Sequence, residues 1–586
     1  MADYSDGDVG VSEIWKRRHT AAHVMAQAVL EIFPTAQLAI GPPIDDGFYY
    51  DFELPRTLTP DDLADIEARM KRIQGENLSL ERTVRPREEA LAFESERGQK
   101  YKSELINDLP EGETISYYQQ GSFIDLCRGP HVASTGEIGV FKLERIAGAY
   151  WRGDEHREQL QRIYGVLFNT QEELDDYHRR LEEAKKRDHR VLGRQLGLFV
   201  FSEDIGSGIP LFLPKGEIIR HTMETYVRDL QTRYGYSHVW TGHLVKEDLY
   251  RKSGHLENYV DAMFPPMVDP NGPTFRLKPM NCPSHMTLYN TQQHSYRDLP
   301  VRFAEFATLY RYEKSGELNG LTRVRSLTQD DCHIFCTPDQ IEQEFTLALK
   351  LIREALKRYG FSDYRVRLSL RDEDPDSKYV KDDEKWTLAT AALRRALDTN
   401  EVEYFEAAGE AAFYGPKADF ITRDVLGRDW QISTIQVDFI QPARLGCEYI
   451  GEDNQAHTPV VLHRAVTGST ERFLAVLIEH YAGAFPLWLA PVQAVIIPIA
   501  DRHHEYAQGV AERFRKEGFR IDVDTRNESI RKKIAEAEVQ KSPYMLVVGD
   551  RDMAGGNVSV RKRSQGDLGA IAVDDFLTRL KEETAE

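Results

Sequence analysis

Two sets of thiol and imidazole side chains stand out in this 586-residue sequence. The stretch "HTAAH" places His19 and His23 one helical turn apart, and "CRGPH" places Cys127 and His131 on either side of a Gly-Pro pair. Much further along, Cys282, His333 and His463 stand singly in apolar or mixed surroundings. Such residues are the usual protein ligands of zinc, and also usual nucleophiles and bases. On residue type alone they could make one metal site, two, or none. A third group is charged. "LYRYEKSGELNGLTRVRSLTQDDCHIFC", residues 309–336, reads as two strand-like halves around a Gly- and Ser-containing loop. Strand alternation puts Arg311 with Glu313, Arg323 with Arg325, and Gln329 with Asp331 and His333, while Asp330 and Cys332 face the other way. Such a face is costly as core, because buried charges need partners. It serves either as an exposed surface or as a site for a triphosphate and an amino acid, since arginine grips phosphate bidentately.

These residues need elements to hold them. "SEIWKRRHTAAHVMAQAVLEIF" predicts a helix over 12–33, capped by Ser12, with Ile14, Ala21, Met25, Val29 and Ile32 at helical spacing and both histidines on one face. Charged amphipathic helices follow at 60–75 and 171–190, the latter ending in the basic run "KKRDHR". From about 196 to 487, long helices (340–358, 382–398) alternate with strand-like runs such as "VRFAEFATLYRYE" and "DWQISTIQVDF". The alternation is not a regular βαβ repeat, so a mainly antiparallel sheet with flanking helices is expected. From 491 the pattern is α/β: strand "VQAVIIPIA", helix 503–517, strand 519–524, helix 528–540, strand "YMLVVGD". "GDRDMAGG" at 549–556 reads as a turn.

The bulk composition is permissive. The length predicts several domains at ~150 residues each, and 41% hydrophobic content is ample for packed cores. No apolar run approaches the ~20 residues needed to span a bilayer. The acidic start "MADYSDGDVG" is not a secretory signal, and five irregularly spaced cysteines do not form a disulfide framework, so a reducing, cytoplasmic setting is expected. The net charge of −20 argues against a non-specific nucleic-acid coat but not against an enzyme with local basic tracks. The runs 185–190 and "RKR" at 561–563 are such tracks, or simply solvated faces. Neither a GxxxxGK[ST] loop nor a GxGxxG turn is present, so any nucleotide is held by another device.

The hairpin, with "RYE" as Arg-x-Glu, resembles motif 2 of the class II aminoacyl-tRNA synthetases, and "HRAVTGSTERFLAVLIE" resembles motif 3, with Arg472 on its helix. More narrowly, "KPMNCPSH", "RSLTQDDCHIF", "AAFYGPK" and "VVLHRA" resemble threonyl-tRNA synthetases, in order and spacing, from about residue 12 to the C-terminus. The resemblance implies an α+β multidomain chain: a tail at 1–11, an α+β editing domain at 12–186, a linker at 187–195, an antiparallel-sheet class II catalytic core at 196–487 and an α/β anticodon-binding domain at 488–586. Only about 11 residues precede the first helix, so the ubiquitin-like domain of many bacterial members is expected to be absent.

The same resemblance implies the roles. Cys282, His333 and His463 become the three ligands of a catalytic-domain zinc, leaving an open position as functional sites do. A hydrophobic pocket cannot reject valine for its near isostere threonine by more than ~100-fold. A metal that takes the amino and hydroxyl groups together can. Gln329 and Asp331 would hold those groups, with Tyr414 as a further contact. Arg311, Glu313, Arg323, Arg472 and Gln431 would bind ATP, accompanied by Mg2+, for attack of the threonine carboxylate on the α-phosphate. Serine also carries both groups, so a second, hydrolytic sieve is needed. His19, His23, Lys102, Asp125, Cys127 and His131 match that editing site, read as metal-free, with a structural zinc as its rival. Arg561 and Arg563, alternating on "NVSVRKR", would face tRNA. The expected partners are tRNA(Thr), ATP, L-threonine and a second copy in a homodimer, with no membrane. The alternatives are a synthetase-like RNA-binding regulator without aminoacylation, which should have lost these arginines or ligands, and a metallohydrolase working mainly through the N-terminal set. Two departures from the family are Gly242, where proline is common, and Ser284, where glycine is usual.

Overall fold

A computed structural model of the chain describes residues 11–585 apart from 155, 373, 375, 376, 378, 425 and 426; of the expected tail at 1–11, residues 1–10 lie outside the described residues. The chain divides into two compact units, Met1–Glu182 and Glu183–Glu586.

In the first unit the predicted helix forms as Glu13–Ile32, and Ala21, Met25 and Val29 are buried on it together with His19 and His23. Ser12 occupies the cap position, but its side chain makes no capping bond; its carbonyl accepts from the Trp15 and Lys16 N–H groups instead. The helix packs on an antiparallel sheet ordered Gln37–Leu38, Gly47–Glu53, Gln159–Phe168, Val140–Tyr150, with Met25, Phe48, Phe52, Ile163 and Leu167 in the shared core. The helix Pro60–Gly75 begins in a capping box between Thr59 and Asp62. A separate three-stranded sheet, Leu80–Arg85, Ile115–Gln120 and Phe123–Leu126, carries Asp125 and delivers Cys127.

The helix expected over 171–190 is two helices, Gln171–Arg187 and His189–Leu196. Asp188 breaks it, because its carboxylate accepts the Arg190 N–H and caps the second helix. In the second unit an eight-stranded sheet runs in the order Ser237–His238, Val301–Tyr310, Ser326–Cys336, Val460–Ala465, Asp429–Asp438, Lys417–Arg423, Tyr364–Leu370, Tyr404–Ala408. Only its first and last pairs are parallel. Helices Ile341–Arg358, Asp383–Thr399 and Thr470–His480 contribute Phe345, Ile352, Leu393 and Phe473 to its core. The charged hairpin departs from the strand reading. Val301 to Tyr310 and Ser326 to Cys336 are strands, but residues 311–325 form a loop with a short 3-10 turn at Ser315–Glu317. Face alternation therefore holds for Gln329, Asp331 and His333 and does not apply to Arg311, Glu313, Arg323 and Arg325.

The C-terminal sheet is ordered Ile521–Val523, Ala494–Pro498, Tyr544–Val548, Asn557–Lys562, Gly566–Ala572, with its first three strands parallel and the rest antiparallel. It has its own core, including Ile496, Phe514, Leu546 and Phe576. The expected turn at 549–556 is instead the helix Asp550–Gly555, where Asp552 Oδ2 accepts the Gly549 N–H at 3.0 Å. The register shifts between Val560 and Arg561, and Arg563 lies beyond the strand, so simple alternation does not pair the two arginines. An added Cβ at Gly242 would meet only Leu244 O, at 3.9 Å, so space does not require glycine there. Ser284 lies in the first turn of the helix Cys282–Tyr289. Among the described residues no helix is long and apolar enough to cross a membrane.

Candidate functional site

Strand register brings the distant histidines together. His333 and His463 are direct cross-strand partners, with ring centroids 4.6 Å apart. Cys282 starts the helix Cys282–Tyr289, and all three residues are buried, with ligand atoms within 4.8 Å of one another. Burial first, and then Asp331 and Asp438, push the Cys282 thiol well above its ordinary value. Burial raises the Asp331 carboxyl as well. A cation in this pocket would relieve all of these groups at once.

The neighbouring groups decide which nitrogens point inward. Glu305 Oε2 lies 3.1 Å from His285 Nε2, and His285 Nδ1 lies 2.9 Å from His333 Nδ1. Glu305 is held well down, to about 2: burial would raise it, but hydrogen bonds from His285, the Thr241 N–H and Asn281, together with Lys278, outweigh burial. Asn281 Nδ2 also lies 2.9 Å from His285 Nε2 but donates to Glu305 Oε2 at 2.7 Å; with the His285 proton on Nε2, facing that acceptor-only carboxylate, Nδ1 accepts from His333 Nδ1–H. His333 Nε2 is then a bare lone pair, and it is buried with no hydrogen-bond partner. His463 Nε2 likewise donates to Asp438 Oδ2 at 2.9 Å, which frees Nδ1. Histidines oriented by a carboxylate or a second ring through one nitrogen, with the other unpaired, are what a metal needs. The residues therefore fit a zinc with three protein ligands. Tyr414 stacks on His463 (4.9 Å) and donates to Gln436 Oε1 at 2.8 Å. Replacing His285 with phenylalanine is expected to weaken zinc binding about 10- to 100-fold. Competition with a chromophoric chelator measures this, and an unchanged zinc affinity would contradict the relay.

The arginines form a second cluster. Burial first, then Arg311 and Arg323, depress the Arg472 guanidinium, so like charges converge there. Arg472 Nε donates to Thr322 O at 3.1 Å, Arg323 pairs with Glu313 at 2.9 Å, and Arg311 Nε is buried without a partner. Convergent cations with spare donors suit a polyanion. Gln431 bonds Asp419 and Arg367. Gln329 and Asp331 lie on the His333 face of their strand.

In the N-terminal unit His19, His23, Cys127 and His131 also converge. Here three of the would-be ligands, His19, Cys127 and His131, contact one another, and His23 does not join their hydrogen bonds. Cys127 Sγ lies 3.3 Å from both His19 Nε2 and His131 Nε2, and it accepts the Gly129 N–H at 3.2 Å. Lys102 Nζ pairs with Asp125 at 2.7 Å and donates to Tyr50, which donates to Asp125 at 2.5 Å. His23 Nε2 lies 3.9 Å from Asp125, and its Nδ1 is buried and unpartnered. Burial pushes the Cys127 thiol up to about 12. Burial lowers His19 from 6.5 to about 3, with His23 adding to the shift, and lowers His23 to about 4 despite Asp125. Both folded values lie below the unfolded one. The stability these rings contribute is therefore complete above pH 6.5 and is lost as pH falls towards 4 and 3. Urea unfolding should show a smaller loss between pH 6.5 and pH 4 in a His19→Gln/His23→Gln variant than in the parent. Equal losses would contradict the burial argument.

Sequence reasoning missed His285, Glu305, Asp438 and Tyr50. His285 was within reach, since Cys282 and His285 lie three apart and share a helix face. In the C-terminal sheet Arg561 Nε has no partner, whereas Arg563 donates to the carbonyls of Ala484, Phe485 and Lys541. Arg563 thus spends Nη1 and Nη2 on backbone carbonyls, while staying partly exposed as Arg561 does.

The antiparallel sheet, with its loop of arginines and its motif 3 helix, defines the catalytic core of a class II aminoacyl-tRNA synthetase, and the model of the tRNA synthetase class II core domain (G, H, P, S and T) matches residues 263–481. The anticodon binding domain matches 493–583, and the threonyl and alanyl tRNA synthetase second additional domain matches 115–164. The sequence is 61% identical to the threonine–tRNA ligase of Rubrobacter xylanophilus over 570 residues, 97% of this chain and 88% of that one. Against the enzyme of Geobacillus sp. it is 52% identical over 97% of this chain and 88% of the relative. The solved RNA binding domain of threonyl-tRNA synthetase from Cryptosporidium parvum Iowa II superposes with a TM-score of 0.64 at 36% identity, covering 68% of this chain and 98% of that one. The chain belongs to the threonine–tRNA ligase family.

Proposed function

We propose that this chain ligates L-threonine to tRNA(Thr) through threonyl-adenylate and hydrolyses seryl-tRNA(Thr) at a separate site. The observation that carries the reading is the buried Cys282, His333, His463 set, with His333 Nε2 unpaired beside Asp331. Zinc bound by these three residues would supply a Lewis acid for the amino and β-hydroxyl groups of threonine, which valine cannot match. Asp331 and Gln329 orient those groups, and Tyr414 closes the pocket over His463. Arg311, Arg323 and Arg472 hold the triphosphate, with Glu313 and Gln431 positioning the nucleotide and Mg2+ accompanying it. The threonine carboxylate then attacks the α-phosphate in line, and pyrophosphate leaves. Positioning and charge neutralisation dominate, and no covalent enzyme intermediate is needed.

The hydrolytic site works without a metal. His19, His131 and Cys127 bond one another, while the Lys102–Asp125 pair and the spare nitrogen of His23 are available to orient a water and the seryl hydroxyl. Residues 12–186 carry this site, 196–487 the core and 488–586 the anticodon-binding domain, where Arg561 faces tRNA. We place the protein in the cytoplasm as a homodimer. An RNA-binding regulator without catalysis would have no need of the arginine cluster or the unpaired His333 nitrogen.

Amino-acid-dependent ATP–pyrophosphate exchange tests the reading. Threonine should drive exchange strongly, serine more weakly, and valine not at all. Exchange with valine within ~100-fold of threonine would mean that an ordinary apolar pocket selects the substrate.

A further inference from the structure

The segment 187–195, expected to be a linker, holds a buried imidazole that the chemistry above does not use. His189 opens the helix His189–Leu196, and both of its ring nitrogens are committed. Nδ1 lies 2.7 Å from Glu479 Oε1, which also accepts the His189 backbone N–H at 3.1 Å. Glu479 lies in the last turn of the helix Thr470–His480, the helix that carries Arg472. Burial would raise the Glu479 carboxyl, but hydrogen bonds from His189 and Arg428 outweigh it and keep the group ionised. The carboxylate only accepts, so the imidazole proton sits on Nδ1. Nε2 then presents its lone pair to the Leu321 N–H at 3.0 Å.

Leu321 belongs to the loop that carries the triphosphate arginines. Its neighbour Thr322 accepts Arg472 Nε on its carbonyl at 3.1 Å, and the next residue is Arg323. On the other side Gly320 has φ +50°, and a Cβ there would collide with the His189 ring. A single imidazole thus ties the C-terminal end of the Arg472 helix to the backbone beside the anchor of Arg472 and beside Arg323.

We propose that His189 is a positioning residue for adenylate formation, holding the 319–323 backbone so that Arg323 and Arg472 meet the triphosphate in register. The proposal rests on the reading that these arginines bind ATP. A ring that merely staples one helix to the fold would leave nucleotide and threonine kinetics equally affected or equally untouched. Loss of the acceptor at Leu321 instead leaves a buried N–H unpaired at the loop that faces ATP.

Threonine-dependent pyrophosphate exchange on the full chain separates the cases. His189→Phe should raise the KM for ATP about ten-fold or more, as expected for an unpaired buried donor, with the KM for threonine within about two-fold of the parent. His189→Gln, whose side-chain oxygen can accept from Leu321 N–H, should recover most of the loss. His189→Asn, too short to reach, should not. Gly320→Ala, which pushes the loop off an intact His189–Glu479 pair, should reproduce the His189→Phe effect and serves if the latter fails to fold. An unchanged ATP KM in Gly320→Ala, parallel rises for ATP and threonine, or equal behaviour of the Gln and Asn variants would each overturn the proposal. An unchanged ATP KM in Arg323→Ala would instead remove the reading on which it rests.

Discussion

Cys282→Ala is expected to abolish threonine-dependent pyrophosphate exchange and to leave the purified protein without its equivalent of zinc. Removing a residue that only orients a ligand costs about 10- to 100-fold in metal affinity or activity, so removing a ligand should exceed about 100-fold. The reason lies in the geometry. Cys282 is the only sulfur of the set, and the two imidazoles alone, on neighbouring strands, would hold a metal with too few ligands to fix it. The fold should survive, because Cys282 opens a helix and a methyl group fills part of the same space. Metal analysis and exchange kinetics on the same preparation give the answer. Full exchange in a variant that has lost its zinc would separate metal from activation, and the selectivity argument would fall.

The second large effect belongs to the N-terminal unit. His19→Ala combined with His23→Ala should let seryl-tRNA(Thr) accumulate, with threonine charging within about two-fold of the parent. The core tells serine from threonine by only one methyl, worth ~1–3 kcal/mol, or roughly 10- to 200-fold. Without the hydrolytic sieve, serine at equal concentration should therefore appear on the tRNA at about one part in 10 to 200. His23 is the more informative of the two, since its buried Nδ1 has no partner and its Nε2 faces Asp125. Its folded value near 4 keeps it neutral at pH 7, as a group that accepts a proton or orients a water must be. Serine mischarging at the parent level, measured with radiolabelled serine, would show that these histidines are structural.

The candidate ligands could be found from the sequence because each sits in a long motif, but of the groups that orient them only His285, three residues from Cys282, carried a local signal. His285 donates to Glu305 across a helix–strand packing that depends on which face of Val301–Tyr310 meets the helix Cys282–Tyr289. Asp438 reaches His463 because Gln436 is the cross-strand partner of His463, which places Asp438 on the diagonal. Helix–strand packing sets the first contact and strand register the second, and neither the packed face nor the register leaves a local trace in the 20 and 25 residues between the partners. The loop 311–325 was misread for a related reason. Its charges alternate as a strand would, and Arg311 N–H still bonds Arg325 O one step past the Tyr310–Ser326 pair, but further out Asn319 O accepts from Thr322 N–H and Arg323 N–H, so local turns replace the ladder there. At residue 188 an aspartate before His189 ends one helix and caps the next, a signal present in the sequence that the basic run masked. Helices with strong apolar spacing, such as Glu13–Ile32 and Ile341–Arg358, fell within one or two residues of expectation because burial of one face decides them. The backbone bonds of Arg563 to the carbonyls of Ala484 and Phe485 are likewise set by packing that the run "RKR" does not reveal.

Zinc-edge X-ray absorption on the purified chain, recorded alone and with threonine or valine, bears most directly on the metal that sorts amino acids. One sulfur at about 2.3 Å and two nitrogens at about 2.0 Å are predicted, with extra nitrogen and oxygen neighbours on adding threonine and no change on adding valine. A shell without sulfur, or one closed by protein ligands and indifferent to threonine, would contradict it.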